Sequence, residues 1–282
     1  MSGANIPVDS SHLSDQAIAD MIEQYGGAVD SQFNKKSMMR DFVNVRSVKG
    51  TDTILDRRVG RTQLTTLTAG VRPAATATAF GKTSLTIDTV VMARDNRSML
   101  NEFQIDFNAR MELGKDHGKE LGKLFDESML IAGIKGAAAS APSGLNGAFG
   151  AGTTTLLGSA GDEIDATAFY AAVEAGVVSM QLKDMDVMGV PVVSTNRLPT
   201  AAITGHALST TANSSFYDVT AAEARTEALI LHPSALMVGE TIPLTSDVYF
   251  SKIERQWFID SLMAYGANFN RPDGSYAIQS IL

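Results

Sequence analysis

The chain has 282 residues, of which 44% are apolar, and it has no cysteine and a formal net charge of −8. The lack of cysteine excludes disulfides, thiolate catalysis and cysteine-based metal centres. No run approaches about 18 uncharged apolar residues, so no membrane-spanning helix is expected, and the N-terminal sequence has the composition of a polar arm rather than a secretory signal.

Charge is unevenly distributed along the chain. Residues 1–140 carry 17 basic and 17 acidic side chains, whereas residues 141–282 carry 6 and 14. In the segment 46–82, two acidic residues accompany seven basic ones, namely Arg46, Lys49, Arg57, Arg58, Arg61, Arg72 and Lys82. A basic segment on an acidic chain fits either nucleic-acid binding or docking onto an acidic surface of another copy. Because no aromatic residue lies among these cations before Phe80, stacking on single strands is not indicated, and the composition favours self-docking.

The predicted elements begin with a short amphipathic helix over residues 14–25. Ser14 or Asp15 can cap its N-terminus, and Gly26-Gly27 is predicted to end it. Residues 33–48 have a mixed pattern, and a second short helix is predicted there.

A long projecting hairpin is predicted next. Residues 46–82 show neither a helical nor a strict strand period, and about thirty such residues would be unusual inside a compact domain. We expect the strands of this hairpin near residues 52–67 and 77–91. Residues 84–92 alternate between apolar and polar side chains at first, which is typical of a strand.

The strongest local signal is a helix from Ser98 to about Lys135. This stretch has no proline, and large apolar residues recur at every fourth position. Such a helix would be roughly 55–60 Å long. Gly114, Gly118 and Gly122 lie on one face of it, where they weaken the helix locally and are expected to let another backbone come close.

The second half of the chain has weaker signals. Residues 136–161 are rich in glycine, alanine, serine and threonine and are predicted to be a loop. The other expected elements are a helix over 165–175, strands over 187–194 and 228–238, helix or strand over 246–267, a turn over 268–274 and a short final strand from Tyr276.

The sequence Phe80-Gly81-Lys82-Thr83 resembles the end of a phosphate-binding P-loop. A P-loop needs an earlier glycine and a helix directly after the lysine. Thr76 stands at the position of that glycine, and a strand pattern follows Lys82. We therefore interpret Gly81 as a turn glycine and Lys82 as a surface cation, and a nucleotide-dependent enzyme built on Lys82 is the weakest hypothesis.

Two other short patterns carry little chemistry. Asp184-Met185-Asp186 has no histidine or third carboxylate at ligand spacing, so a polar turn is favoured over a metal site. His232-Pro233-Ser234 places an imidazole near a hydroxyl, but no nucleophile elbow is present. No enzymatic activity, cofactor or metal is expected.

The order of the predicted elements resembles the major capsid proteins of tailed phages with the Hong Kong 97-type fold. Four of the stretches that bring it closer to podovirus-type phages are the following. Val45-Arg46-Ser47-Val48 with Val59-Gly60-Arg61-Thr62-Gln63 resembles the first strand of their E-loop, and Lys82 to Val91 resembles its return strand. Asp186-Val187-Met188-Gly189-Val190 resembles a strand of their axial (A) domain.

The resemblance implies an α+β fold with an N-terminal arm, an extended E-loop hairpin, a peripheral (P) domain with a long spine helix, and an A domain. The implied ranges are 1–45 for the arm, 46–82 for the E-loop, 83–136 for the P domain, 137–240 for the A domain and 241–282 for the return to the P domain.

The resemblance also implies a function without catalysis. The chain would self-assemble through pentamers and hexamers into an icosahedral shell around packaged double-stranded DNA, with a scaffolding protein and a portal as partners and no membrane. It would be located in the virion capsid after assembly in the cytoplasm of the bacterial host. The seven basic residues of 46–82 would contact an adjacent subunit, and an encapsulin-type nanocompartment shell is the alternative.

Overall fold

The structure is a computed structural model, and it describes residues 15–72, 77–98, 109–181 and 192–281. The helices in these ranges are α1 (Asp15–Lys36), α2 (Ala109–Ala138) and α3 (Ala166–Gln181). The strands are β1 (Val45–Ser47), β2 (Thr53–Val59), β3 (Phe80–Thr86), β4 (Val91–Ser98), β5 (Thr153–Leu156), β6 (Thr226–Leu231), β7 (Leu236–Ser251), β8 (Gln256–Phe269) and β9 (Ser275–Gln279). A mixed α+β architecture is therefore confirmed.

Contacts divide the chain into two compact units. The first unit comprises Met1–Arg40, Thr89–Asp126 and Thr241–Tyr265, and the second comprises Asp41–Asp88, Glu127–Glu240 and Gly266–Leu282. The chain passes between the units within α2, β7 and β8.

The first unit is built around the packing of α1 on α2. A Cβ on Gly118 would overlap the carbonyl oxygen of Val29, and a Cβ on Gly114 would lie 2.9 Å from the Tyr25 ring. Gly122 is less confined, since the nearest atom to its Cβ position, the Phe33 carbonyl oxygen, is 3.5 Å away. The predicted close approach of another backbone to the glycine face is therefore confirmed.

The prediction that Gly26-Gly27 ends the first helix is wrong, because α1 continues to Lys36. Tyr25, Val29 and Phe33 recur at every fourth position and are at most 2% exposed. Burying three such side chains outweighs a helix penalty of about 1 kcal/mol for each glycine. The second short helix predicted within 33–48 is wrong as well, since its first residues belong to α1.

A buried carboxylate holds the chain where it leaves α1. Asp126 on α2 is fully buried and accepts a hydrogen bond from the Ser37 hydroxyl at 2.6 Å. It also accepts from the backbone N–H groups of Met38 at 3.0 Å and Met39 at 3.1 Å. These donors follow the last turn of α1, so one side chain fixes both the end of the helix and its position on α2.

We expect Asp126→Asn to lower the free energy of unfolding by about 2–3 kcal/mol, because an amide NH₂ would replace one acceptor oxygen and oppose a buried donor. Chemical denaturation of the unassembled chain measures this. The control is Asp30→Asn, where the carboxylate accepts only an exposed hydrogen bond from Asn34 among the bonds resolved for it, and where a change within about 0.5 kcal/mol is expected. Equal effects of the two substitutions would contradict the role of Asp126.

Strands β1, β7, β8 and β4 form one sheet in this order. Strand β4 pairs antiparallel with β8 from Val91↔Met263 to Ser98↔Gln256. Residues 246–267, which fit helix or strand by pattern, therefore belong to strands. Ser98 ends β4 rather than starting the long helix, which is described from Ala109 to Ala138; residues 99–108 lie outside the described residues.

The second unit contains a three-stranded sheet in the order β5-β9-β6, with α3 packed on it. The core of this part comprises Leu157, Met180, Ile230, Tyr276 and Ile278. Strand β5 lies within the segment 136–161, so the prediction of a loop throughout that segment is wrong. The reason is that a strand of four residues with three threonines gives no apolar pattern.

The other predictions in the second half have mixed outcomes. The helix predicted over 165–175 is confirmed and extends to Gln181. The single strand predicted over 228–238 is wrong, because a 3₁₀ turn at Pro233–Ala235 separates β6 from β7. The predicted turn and final strand near the C-terminus are confirmed by the 3₁₀ turn Pro272–Gly274 and by β9. Most of the predicted strand 187–194 lies outside the described residues.

Candidate inter-subunit surface

Residues 46–82, called the basic hairpin below, contain strand β2 and the first residues of β3, and these two strands pair antiparallel. The register runs from Thr53↔Thr86 to Val59↔Phe80, which confirms a hairpin with shorter strands than predicted. Residues 61–72 follow β2 without regular structure, and each of them is exposed.

Alternation along the two strands gives the basic hairpin an outer and an inner face. The outer face is exposed and comprises Leu55, Arg57, Val59, Phe80 and Lys82. Arg57 lies directly opposite Lys82 in the register. Like charges in this arrangement repel each other, and the structure shows no ion pair for either cation within the described residues. A carboxylate from another molecule would therefore relieve this repulsion.

Arg58 points to the inner face and is only 8% exposed. Its Nη2 donates to the Asn270 Oδ1 at 3.1 Å, and its guanidinium lies 5.4 Å from the centre of the Phe149 ring. Burial lowers the pKa of Arg58, while Asp56 and Asp273 act in the opposite direction. Arg58 thus anchors the basic hairpin to its own chain.

Two guanidinium groups lie close to the Phe149 ring near the end of the paired strands β2 and β3. Arg271 is also 5.4 Å from the centre of the ring, and its Nη2 is 3.0 Å from the buried Asp273 carboxylate. On the β2 side, Asn270 Nδ2 donates to Asp56 Oδ2 at 2.6 Å. Cation–π contacts and charge-assisted hydrogen bonds at this site give the hairpin a defined direction.

Gly81 lies within β3 and is not a turn glycine, so that interpretation is corrected. A Cβ at Gly81 would lie 3.3 Å from the Leu145 side chain, and a Cβ at Gly60 would lie 3.0 Å from the Ala79 carbonyl oxygen. The backbone N–H of Arg61 donates to the Leu145 carbonyl oxygen at 3.1 Å. The confinement is stricter at Gly60, where the close atoms are backbone, than at Gly81, where they belong to a flexible side chain.

The location of Lys82 in the middle of β3 excludes the P-loop geometry, because β3 continues to Thr86 and no helix follows the lysine. The exposure of Lys82 confirms that it is a surface cation. The other cations predicted for an inter-subunit contact, Lys49, Arg61 and Arg72, are exposed as well. Arg46 is exposed and lies 3.8 Å from the Asp56 carboxylate.

Sequence reasoning missed the apolar residues of this surface. Leu64 is 97% exposed, Leu67 is 76% exposed and Phe80 is 79% exposed. The sequence contains a signal for them. Large apolar residues in a segment without a helical or strand period do not form a face that can pack on a core, so they are expected to be exposed. These exposed apolar residues and the cations of the outer face are suited to a partner that offers both apolar groups and carboxylates.

The second half of the chain supplies carboxylates of this kind. Its exposed acidic residues include Glu163, Asp165, Glu174, Glu227, Asp247 and Glu254. Asp165 accepts from the Thr167 backbone N–H at 2.9 Å at the start of α3. The charge asymmetry of the sequence is thus present on the surface of the folded chain.

Of the two remaining chemical patterns, His232-Pro233-Ser234 lies within the described residues. His232 Nδ1 lies 2.7 Å from the Ser234 hydroxyl and accepts from the Ser234 backbone N–H at 3.2 Å, so it caps the 3₁₀ turn that follows. Asp184 and Asp186 lie outside the described residues. The described ranges contain no group of three or more histidine, aspartate or glutamate side chains that could hold a metal ion. No helix in these ranges is long and apolar enough to cross a membrane.

Comparison with known proteins identifies the fold. Models of protein families give no match, and curated proteins give none. Among solved structures, the asymmetric unit of the bacteriophage PhiM1 mature capsid matches with a TM-score of 0.74 and 22% identity, over 86% of this chain and 87% of that chain. The capsid structure of the cyanophage P-SCSP1u matches with a TM-score of 0.73 and 14% identity, over 87% and 88%.

A virus-like particle from Pyrococcus furiosus matches with a lower TM-score of 0.53 and 13% identity, over 91% of this chain and 98% of that chain. The chain therefore shares its fold with phage capsid proteins along most of its length. The similarity to the Pyrococcus furiosus particle extends over as much of the chain, but its TM-score is lower.

Proposed function

We propose that this chain is the major capsid protein of a tailed phage of the podovirus type, with the Hong Kong 97-type fold, and that it forms the icosahedral shell around packaged double-stranded DNA. The observation that carries the proposal is the match to two phage capsids at TM-scores of 0.74 and 0.73 over nearly nine-tenths of the chain. The chain acts by assembly and not by catalysis.

In this proposal the basic hairpin is the E-loop of the capsid fold. Residues 1–45 form the N-terminal arm, residues 83–136 and 241–282 form the P domain with α2 as its spine helix, and residues 137–240 form the A domain. The exposed cations Arg46, Lys49, Arg57, Arg61, Arg72 and Lys82 contact an adjacent subunit. Arg58 belongs to the same segment but supports the contact from the inside.

Two properties of the basic hairpin support its role in assembly. Its outer face carries cations and large apolar residues that no partner from the chain's own described residues covers. An adjacent copy offers the carboxylates of the acidic second half, so the contact joins opposite charges. Pentamers and hexamers of the chain then form the shell, with a scaffolding protein and a portal as partners in the bacterial cytoplasm.

The net charge of −8 also suits a container for DNA. A shell must enclose DNA without binding it strongly, and an acidic chain disfavours the phosphate contacts that dominate non-specific binding. The cations of the hairpin do not oppose this, because contact with a neighbouring subunit neutralises them.

The alternative is the shell of an encapsulin-type nanocompartment, which the match to the Pyrococcus furiosus particle favours. Both functions require a closed shell, and they differ in its contents. The higher TM-scores of the phage capsids favour the phage function.

The test is to purify particles from the native source or after co-expression with a scaffolding protein, and to image them by electron microscopy. We expect closed icosahedral shells, with double-stranded DNA inside the native particles. A cargo enzyme in place of DNA would support the compartment alternative. A folded chain that stays monomeric under these conditions would contradict both.

A further inference from the structure

Residues 203–219 of the second unit form an irregular segment, called the latch segment below, whose contacts with the rest of the unit include two sets of hydrogen bonds and a ring contact between Phe216 and Phe269. Its ends pair with each other as an isolated antiparallel bridge. The Thr210 hydroxyl donates to Asp88 Oδ2 at 2.6 Å. The Tyr217 hydroxyl donates to the Ala267 carbonyl oxygen at 2.9 Å and accepts from the Ala267 N–H at 2.7 Å. The segment thus joins the chain just after β3 to strand β8.

His206 is the fourth residue of the latch segment and is only 7% exposed. Its ring stacks on the Tyr217 ring with centroids 5.5 Å apart. Its Nδ1 accepts a hydrogen bond from the Leu208 backbone N–H at 3.2 Å. Because Nδ1 accepts, the neutral ring carries its proton on Nε2, and this buried atom has no hydrogen-bond partner among the residues that the structure describes.

Asp218 is the group near His206 that partly compensates a second proton, and its oxygens are already engaged. Asp218 is the nearby carboxylate, and it already accepts from the backbone N–H groups of Gly205 and His206 and from the Ser209 hydroxyl. These bonds, led by the one from Ser209, lower the pKa of Asp218 and keep it charged in acid. Burial raises the pKa of Tyr217 to about 12, so the tyrosine stays neutral, and Asp88 is the remaining charged group attached to the segment.

A proton on Nδ1 would remove the acceptor for the Leu208 N–H. Two N–H groups would then face each other inside a buried turn, and the imidazolium would have to leave the turn to reach water. We propose that His206 is an acid-sensitive latch, which holds the latch segment closed while neutral and opens it when protonated. Opening loosens the attachments at Asp88 and at Ala267.

The sign of the pH dependence follows from burial. Burial lowers the pKa of His206 from its ordinary value of about 6.5, with Asp218 acting in the opposite direction. The open segment therefore binds the proton more readily than the closed one. The closed state is favoured fully above pH 6.5, and it loses stability as the pH falls from there through the lowered pKa.

Hydrogen exchange of the full-length chain at pH 7.5 and pH 5.0, with rates corrected for the intrinsic pH dependence of exchange, tests the latch. We expect the protection of peptides within 203–219 to fall by about fivefold at pH 5.0, the change that corresponds to losing one hydrogen bond. Peptides from α2 should keep their protection. The measurement reports on the chain itself and does not depend on whether it forms a phage shell.

The chain offers two matched variants. His206→Asn keeps an acceptor for the N–H two residues ahead, as in an Asx turn, but cannot titrate, so its protection should be independent of pH. His232→Asn alters the same motif elsewhere, since His232 accepts from the Ser234 N–H at 3.2 Å. This variant should leave the pH response of the latch segment intact.

Three results would overturn the latch. They are unchanged protection of 203–219 between the two pH values, a full pH response in His206→Asn, and a loss of protection that is equal throughout the chain.

Discussion

Replacing Gly118 with alanine should lower the free energy of unfolding by about 2–3 kcal/mol. In an exposed helix the same change would stabilise by about 1 kcal/mol, because alanine favours helix over glycine. Here the added methyl group would overlap the Val29 carbonyl oxygen of α1. That atom belongs to a helical backbone, so it can move only if α1 shifts away from α2. Chemical denaturation of the unassembled chain gives the measurement.

Gly122→Ala is the matched control on the same face of α2. The nearest atom to its Cβ position is 3.5 Å away, which is an ordinary van der Waals contact. We expect this substitution to be neutral or to stabilise the chain by up to about 1 kcal/mol. Opposite signs for the two alanines would locate the close approach at Gly118, whereas equal stabilisation by both would show that α1 does not pack there.

The glycines of α1 and α2 show how much of the fold is predictable. The spacing of Gly114, Gly118 and Gly122 is sufficient to predict close backbone packing, because glycines at every fourth position of a helix leave a groove. It does not identify the element in that groove. The glycines of α1 predict a helix end if helix propensity alone is considered. The helix continues because Tyr25 and Phe33 are buried, and this burial depends on the tertiary structure.

The strands are also predictable only in part. The hairpin is predictable because residues 46–82 have neither the period of a helix nor the composition of a compact domain, and β2 and β3 do pair. Strand β5 is not predictable, since its four residues gain their stability from pairing with β9, which lies more than a hundred residues further along the chain. Patterns within a short window contain no information about such partners.

The sequence predicts that all seven basic residues of 46–82 contact an adjacent subunit. The structure separates Arg58, which is buried, from the other six, which are exposed. The sequence groups Arg57 and Arg58 because they are adjacent. In a strand, adjacent side chains point to opposite faces, so Arg57 is exposed and Arg58 is buried against Phe149. The inner face is the one that contacts Asn270 and Phe149. Both residues are distant in sequence, so the sequence alone does not indicate which arginine faces inward.

Reversing both outer-face cations in the variant Arg57→Glu, Lys82→Glu should reduce the yield of assembled particles at least about tenfold. At each contact between subunits, the attraction between opposite charges would become repulsion between carboxylates. A loss of about 1.4 kcal/mol of binding free energy per contact lowers the association constant tenfold. The fold should be unaffected, because two carboxylates facing each other across β2 and β3 repel as much as the original pair of cations does. Sedimentation separates particles from free chains, and denaturation of the free chain checks the fold.

Two comparisons make this prediction specific. The variant Lys36→Glu, Lys119→Glu changes the net charge equally at exposed lysines of α1 and α2, outside the basic hairpin, and should assemble normally. Arg58→Glu should instead destabilise the chain itself, because it places a carboxylate beside the buried Asp273 and removes the cation from Phe149. Wild-type particle yield from the Arg57, Lys82 variant would contradict the role of the outer face. A loss of assembly only in Arg58→Glu would mean that the basic hairpin acts through its anchored direction and not through its exposed charge.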